Sequence, residues 1–180
     1  MKRTTEHFSK RSRVAILAPV LGLALGVAAT TTFADGQAIV TERTLSFNAA
    51  HDAAMAALEQ CRKDGFHVSV TVLNRAGRTA VVLHDDGAPM HTIENSLRKA
   101  YTALTFGVPS GDFGKRVASN PTSIGAMNLD RITSLEGGLP IIAGKEVVGS
   151  IGVSGAPTGP QDIACVNAGI ARIAKGLTGG

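Results

Sequence analysis

The chain has 180 residues and a formal net charge of +4, from 18 basic and 14 acidic side chains. Residues 1–34 hold five of the basic residues and one of the acidic ones, so thirteen of each remain in the rest of the chain. This balance, without a Lys/Arg cluster, excludes a nucleic-acid-binding face, which needs concentrated positive charge. No Trp and a single Tyr argue against an aromatic stacking platform for sugars or bases.

Residues 1–34 have the pattern of an export signal. A basic start is followed by the uncharged apolar run Val14–Ala29 and a small-residue exit that ends at Ala34. The run has sixteen residues and falls short of the ~20 that span a bilayer, so cleavage near Ala34 is favoured over a retained anchor. We therefore expect a periplasmic or secreted protein without a membrane span after cleavage, exported by either the Sec or the Tat route.

The first predicted element is a helix. Residues 35–44 show little periodicity and are predicted to be a flexible lead-in, and the folded domain is placed at 45–180. Ser46 is a suitable N-cap for a helix over Phe47–Lys63, and Gly65 lies just beyond its end.

A β-hairpin is predicted next. Phe66–Leu73 alternates strictly, with valines on one face and His67, Ser69 and Thr71 on the other, as in a half-buried strand. Thr79–Leu83 supplies the returning strand after the turn Asn74–Gly77.

The second half is predicted to contain two further helices and three strands. An apolar stripe at helical spacing defines a helix over Thr92–Phe106, with Ile93, Leu97, Ala100 or Tyr101, and Leu104. The remaining segments are an irregular loop with short helical turns at 107–130, strands at Ile132–Leu135, Leu139–Ile142 and Val147–Val153, and a last helix from Pro160. The pattern predicts an α/β (α+β) fold, an antiparallel sheet flanked by helices in the order α-ββ-α-βββ-α.

The two cysteines, Cys61 and Cys165, fall in the first and last predicted helices and are expected to come close. An oxidising compartment would permit a disulfide, but the sequence leaves pairing open. No Cys/His spacing for structural zinc is present.

A polar stripe on the second helix is the first candidate binding site. His91, Asn95, Arg98 and Thr102 repeat at helical spacing. Such a stripe is usually a solvated face, but its imidazole, guanidinium and hydroxyl groups also suit an acidic cofactor held at its edge.

His51 is the candidate metal ligand. It lies among small residues that leave room for a flat ligand, and neutral imidazole is a standard axial ligand of haem iron. A surface histidine is the alternative. His67 and His84, at strand ends, are weaker candidates.

Other patterns carry less chemistry. The glycines at 149, 152, 155 and 159 do not match G-x-G-x-x-G and favour turns and close backbone approach, although the helix from Pro160 offers free N–H groups to an anion. Asp85-Asp86 is interpreted as a solvated turn with at most a weak surface cation site. No catalytic triad signature is present.

Five segments in order resemble the GlcG/HbpS family. They are LSFNAA (45–50), HVSVTVLNRAG (67–77), RKAYTA (98–103), LEGGLPI (135–141) and VGSIGVSGA (148–156). The resemblance implies a profilin-like sheet, homo-oligomers and, in exported members, extracellular haem binding, sometimes with a sensor-kinase partner. It also makes Lys99, Tyr101 and Thr102 the best-matching segment for cofactor contact.

Two functions are therefore carried forward. The leading one is a non-catalytic protein that stores, buffers or senses haem outside the cytoplasm. Haem iron would be ligated by His51 or by the stripe of His91 and Thr102, and its propionates held by Arg98 or backbone N–H groups. The alternative is an enzyme that degrades haem or transforms a small organic acid in the Gly-rich cleft.

Overall fold

The computed structural model describes residues 39–178, and the predicted signal at 1–34 lies outside them. The chain separates into two units, Met1–Ile39 and Val40–Gly180, and the fold below is that of the second. Its elements are α1 (Phe47–Lys63), β1 (Ser69–Asn74), β2 (Thr79–His84), α2 (His91–Phe106), α3 (Ser110–Ser119), a 3₁₀ helix (Pro121–Asn128), β3 (Gly138–Ala143), β4 (Glu146–Ser154) and α4 (Gly159–Leu177). No helix among residues 39–178 is long and apolar enough to cross a membrane.

The fold class is confirmed: four strands form one antiparallel sheet, in the order β2-β1-β4-β3, with helices packed on it. The element order needs one correction, because Ile132–Leu135 is not a strand. Ile132 is buried against Phe113 of α3, and the backbone N–H of Thr133 donates to the Thr102 hydroxyl instead of to a neighbouring strand. The observed order is α-ββ-α-α-ββ-α, and the predicted irregular loop at 107–130 contains α3 and the 3₁₀ helix.

One face of the sheet carries the main apolar core. Val70 and Val72 of β1 and Ile151 of β4 are completely buried there with α1 and α4. The Ser46 hydroxyl caps α1 by accepting from the Ala49 N–H at 3.3 Å, as predicted. Gly169 of α4 allows the two helices to approach closely, since a Cβ at this position would lie only 2.5 Å from the Ala53 carbonyl oxygen.

The predicted proximity of Cys61 and Cys165 is confirmed, and they form a disulfide between α1 and α4. This covalent link joins the two helices that pack on the same face of the sheet. Its sequence separation is 104 residues.

The other face of the sheet is covered by α2, and the contact is polar. The Ser69 hydroxyl lies 2.7 Å from that of Thr92, and the Thr71 hydroxyl lies 2.8 Å from that of Ser96. All four side chains are buried, so β1 is buried on both faces and not half-buried as predicted.

The predicted apolar stripe of α2 coincides only in part with its buried face. Ile93 is 42% exposed, whereas Ala100 of the stripe and Ala103 beside it are fully buried against the sheet. The backbones of α2 and β4 lie so close that a Cβ on Gly152 of β4 would be 2.2 Å from the Ser96 carbonyl oxygen. This short distance leaves room only for small side chains on the sheet-facing side of α2. Close backbone approach, the simpler interpretation of this glycine, is what the structure shows.

Candidate functional site

A pocket of about 350 Å³ lies where α2 and the start of α4 meet the segment before β3. We call it the α2–α4 pocket. Its polar lining comes from His91, Asn95 and Lys99 of α2, Glu136, Ser154 of β4 and Asp162 of α4. The Gly-rich turn at 155–159 forms the wall on the α4 side, so the pocket is the cleft in which the sequence places a small-acid ligand.

A buried ion pair lies in this pocket. Lys99 Nζ donates to Asp162 Oδ2 at 2.6 Å and to the Val153 carbonyl oxygen at 3.0 Å, and both charged side chains are at most 4% exposed. The second Asp162 oxygen accepts from the Ala156 N–H at 3.1 Å. Two of the three N–H groups of the Lys99 ammonium therefore have acceptors within the protein.

Burial raises the pKa of Asp162, and the Lys99 ammonium and the Ala156 N–H oppose that rise. The carboxylate is thus held in an environment that would favour its neutral form without Lys99. The pair fixes the end of β4 and the first turn of α4 against α2.

Two adjacent glycines allow the segment before β3 to cross over Lys99. A Cβ on Gly138 would lie 2.2 Å from the Lys99 carbonyl oxygen, and one on Gly137 would lie 2.8 Å from Lys99 Nζ. Gly137 also has a φ of +129°, which disfavours any side chain. The Glu136-Gly137-Gly138 segment therefore packs directly over Lys99, whose side chain is 4% exposed.

The start of α4 faces the pocket without a side-chain cap. Its N-cap residue, Thr158, uses its hydroxyl to donate to Gln161 Oε1 at 2.8 Å. N–H groups of the first helical turn have no intrahelical partner and carry partial positive charge. The exposed part of the pocket thus combines these donors with the His91 imidazole and the Glu136 carboxylate.

The four residues of the predicted polar stripe do not share one exposed face. His91 is exposed at the pocket, and Asn95 donates to the Ser154 hydroxyl at 2.9 Å. Arg98 is exposed outside the pocket lining and donates to Glu94 at 2.8 Å. Thr102 is fully buried, where its hydroxyl accepts from the Thr133 N–H.

The other predicted contacts are separated from the pocket. Tyr101 packs near Gly77 of the β1–β2 turn, and the Arg131 guanidinium lies 5.7 Å from the centre of its ring. His51 is exposed on α1, on the opposite face of the sheet from α2, with its ring 6.2 Å from that of Phe47. Of the residues predicted to form a site, the structure brings together His91, Asn95 and Lys99 in the lining of the pocket.

Sequence reasoning missed Asp162 and misread Asp85. Asp162 was hidden because no signal relates it to Lys99, 63 residues away. Asp85 is not a solvated turn residue: it is 3% exposed and accepts from Arg62 Nε at 2.9 Å, with His67 Nδ1 at 3.2 Å. The Arg62 hydrogen bond holds the pKa of Asp85 below its usual value, so this cluster is an ion-pair clamp between α1 and the end of β2.

Most of the described part of the chain matches a known protein family. A family model described as "Haem degrading protein HbpS-like" matches residues 45–171. A crystal structure of HbpS is 40% identical with a TM-score of 0.71, and the match covers 77% of this chain and 96% of that chain.

Two further proteins show how far the similarity extends. An uncharacterized 15.0 kDa protein in the dhaT-dhaS intergenic region of Citrobacter freundii is 30% identical over 114 residues, which are 62% of this chain and 80% of that protein. The crystal structure of a PduOC:heme complex shares the fold at 22% identity and a TM-score of 0.66, covering 72% of this chain and 95% of that chain.

Proposed function

The chain belongs to the HbpS-like family, and from this membership we propose that it binds haem. The observation that carries the proposal is the match over residues 45–171, which includes every element of the sheet and the whole α2–α4 pocket. The PduOC:heme complex adds that a protein with this fold holds the same cofactor. The function proposed is the storage, buffering or sensing of haem.

The chemistry of the α2–α4 pocket fits the acidic edge of haem. Its volume of about 350 Å³ is at the lower end of the range for ligand sites, so it would enclose the propionates and not the whole macrocycle. The N–H groups at the start of α4 are suitable donors for carboxylates, whereas the Glu136 carboxylate in the same lining opposes an acidic ligand. Arg98, which we predicted for this role, would have to leave Glu94 to take part.

The two histidines predicted as iron ligands lie on different sides of the sheet. His91 presents an exposed imidazole at the pocket, whereas His51 lies on the other side of the sheet. Tyr101 and Thr102 stay predictions from the family resemblance. Bound haem iron would supply the redox chemistry that its degradation by O₂ requires.

Haem degradation is the second candidate function, because the matching family model is described by that activity. Hemin titration followed by addition of a reductant under air separates the two. Binding alone gives a Soret band that persists, and degradation gives progressive loss of the band with formation of tetrapyrrole-cleavage products. No spectral change on adding hemin would refute both.

We also propose that the protein is exported after cleavage near Ala34 and acts in the periplasm or outside the cell. The Cys61–Cys165 disulfide supports this location, since disulfides persist in oxidising compartments. N-terminal mass analysis of the exported protein should give a start at or within a few residues of Asp35. A mature chain that retains residues 14–34 in a membrane fraction would contradict export by cleavage.

Assembly into a homo-oligomer and communication with a sensor kinase complete the proposal. A hydrophobic side chain is exposed on the edge strand β3, 47% for Ile142, which is compatible with contact between copies. Light scattering of the mature protein would test the oligomer. A monomer at all concentrations would contradict it.

A further inference from the structure

A chain of hydrogen bonds fixes the orientation of His84 at the end of β2. The Thr92 hydroxyl lies 2.6 Å from the Pro89 carbonyl oxygen, and since a carbonyl only accepts, Thr92 must donate. The Ser69 hydroxyl lies 2.7 Å from that of Thr92, whose hydrogen is already used, so Ser69 donates to Thr92. His84 Nδ1 lies 2.7 Å from the Ser69 oxygen, whose hydrogen is also used, so Nδ1 must carry the proton.

The consequence is that the neutral His84 ring has its lone pair on Nε2. A hydrogen bond from one ring nitrogen to a fixed acceptor is the usual way in which a metal-ligating histidine is oriented. Its acceptor Ser69 is completely buried, whereas the His84 side chain is exposed. Among residues 39–178, neither His91 nor His51 makes a comparable ring hydrogen bond, and the nearest Asp52 oxygen to His51 Nδ1 is 3.7 Å away. His67 Nδ1 lies 3.2 Å from Asp85, but that carboxylate belongs to the ion pair with Arg62.

An apolar ledge lies beside His84. The helix α2 packs on β1, β4 and β3 and leaves the edge strand β2 uncovered. On β2, Val82 and His84 face the α2 side, because their partners in the register are Thr71 and Ser69, which bond to α2. Val82 is 44% exposed. Ile93, which is 42% exposed, lies on the side of α2 opposite Asn95, and since Asn95 contacts β4, Ile93 is on the β2 side.

His84 as a lone protein ligand favours haem iron over a bare metal ion. No group of three or more His, Cys, Asp or Glu side chains within the described part of the chain is placed to hold a metal ion. Too few ligands are therefore present here for a metal ion without a porphyrin, because a protein site for such an ion needs about four. Haem iron brings four porphyrin nitrogens of its own and needs only an axial ligand with an apolar surface for the macrocycle.

We propose that His84 Nε2 is an axial ligand of haem iron, with the macrocycle lying on the ledge of Val82 and Ile93. The assignment rests on the proposed haem binding and replaces His51 and His91 as the ligand. Ser69 acts as a positioning residue that holds the His84 ring.

The test compares hemin spectra of the full-length mature protein and three single variants, His84→Ala, His91→Ala and His51→Ala. We expect His84→Ala alone to shift or abolish the ferric Soret and charge-transfer bands, and added imidazole to restore them. Circular dichroism and the melting temperature establish that the variant folds. A His84→Ala spectrum equal to that of the wild type, or a loss that imidazole does not restore, would overturn the assignment.

A second pair of variants tests the positioning role. Ser69→Ala should weaken hemin binding by about 10–100-fold while leaving the band positions in place, as loss of an outer-shell partner does. Thr71→Ala is the matched control, since it removes a buried hydroxyl of the same interface that contacts Ser96 and not a histidine. Equal effects of the two variants would refute the role of Ser69. If hemin keeps the spectrum of free hemin in the presence of the wild type, the proposed haem binding fails, and not merely its ligand.

Discussion

Replacing Lys99 with methionine removes an ammonium from the α2–α4 pocket while keeping a side chain of similar length. Asp162 would then stay buried at 2% exposure, with the Ala156 N–H as its remaining partner. Breaking a buried ion pair by removing one partner typically costs 3–5 kcal/mol. We expect Lys99→Met to lower the free energy of unfolding by about that amount at pH 7.

The pH dependence of this loss follows from Asp162. Burial raises its pKa, and without Lys99 the rise is larger. A carboxyl whose pKa is higher in the folded state contributes stability below the pKa of the unfolded chain, and this is lost as the pH rises through the folded pKa. The deficit of Lys99→Met should therefore be small near pH 4 and grow toward pH 7.

Urea unfolding of the disulfide-intact protein across this pH range measures the effect. Lys99→Met with Asp162→Asn should recover stability relative to Lys99→Met alone, because no buried charge is left. Lys115→Met is the control, since Lys115 pairs with Asp112 on the surface at 78% and 55% exposure and should change stability little. A Lys99→Met variant no less stable than Lys115→Met would refute the interpretation of the pair.

Three further predictions concern the fold. Replacing Cys61 and Cys165 with alanine removes a link across 104 residues and should cost up to about 4.7 kcal/mol of unfolding free energy in the chain-entropy model; equal unfolding of the variant and the oxidised protein would contradict this. The Asp85 pKa is lowered chiefly by its Arg62 hydrogen bond, so the stability that this carboxylate contributes is present above its ordinary pKa and lost as the pH falls below about 4. Asp85→Asn should therefore flatten the dependence of unfolding free energy on pH in this range, and an unchanged slope would count against the prediction. Gly152→Ala should push α2 from the sheet and cost roughly 1–3 kcal/mol, measured by thermal or chemical unfolding, and a neutral effect would show that α2 moves freely.

The elements on the apolar face of the sheet could be predicted from the sequence. The alternation of Val68, Val70 and Val72 and the cap at Ser46 are local signals, and the structure preserves both. Burial against α1 and α4 agrees with these signals, so local pattern and tertiary packing select the same conformation.

The polar face could not be predicted in the same way. Ser69, Thr71, Thr92 and Ser96 look like exposed positions, but paired hydroxyls satisfy one another and allow burial. The same reasoning placed Ile93 inside, whereas Gly152 brings the small and hydroxyl-bearing side of α2 onto the sheet. The candidate site depends on this face, so the sequence found His91 and Lys99 but not Asp162 or the orientation of His84.

Haem binding is the central claim, and its stoichiometry in solution is the most direct test. Mature protein prepared without haem is titrated with hemin at a protein concentration well above the expected Kd, and the Soret difference absorbance is followed against a reference that receives the same hemin without protein. The account predicts a linear rise that breaks sharply at one haem per chain. Hemin added beyond this point should leave the difference absorbance unchanged. A rise without a break, or a spectrum equal to that of free hemin throughout, would contradict it.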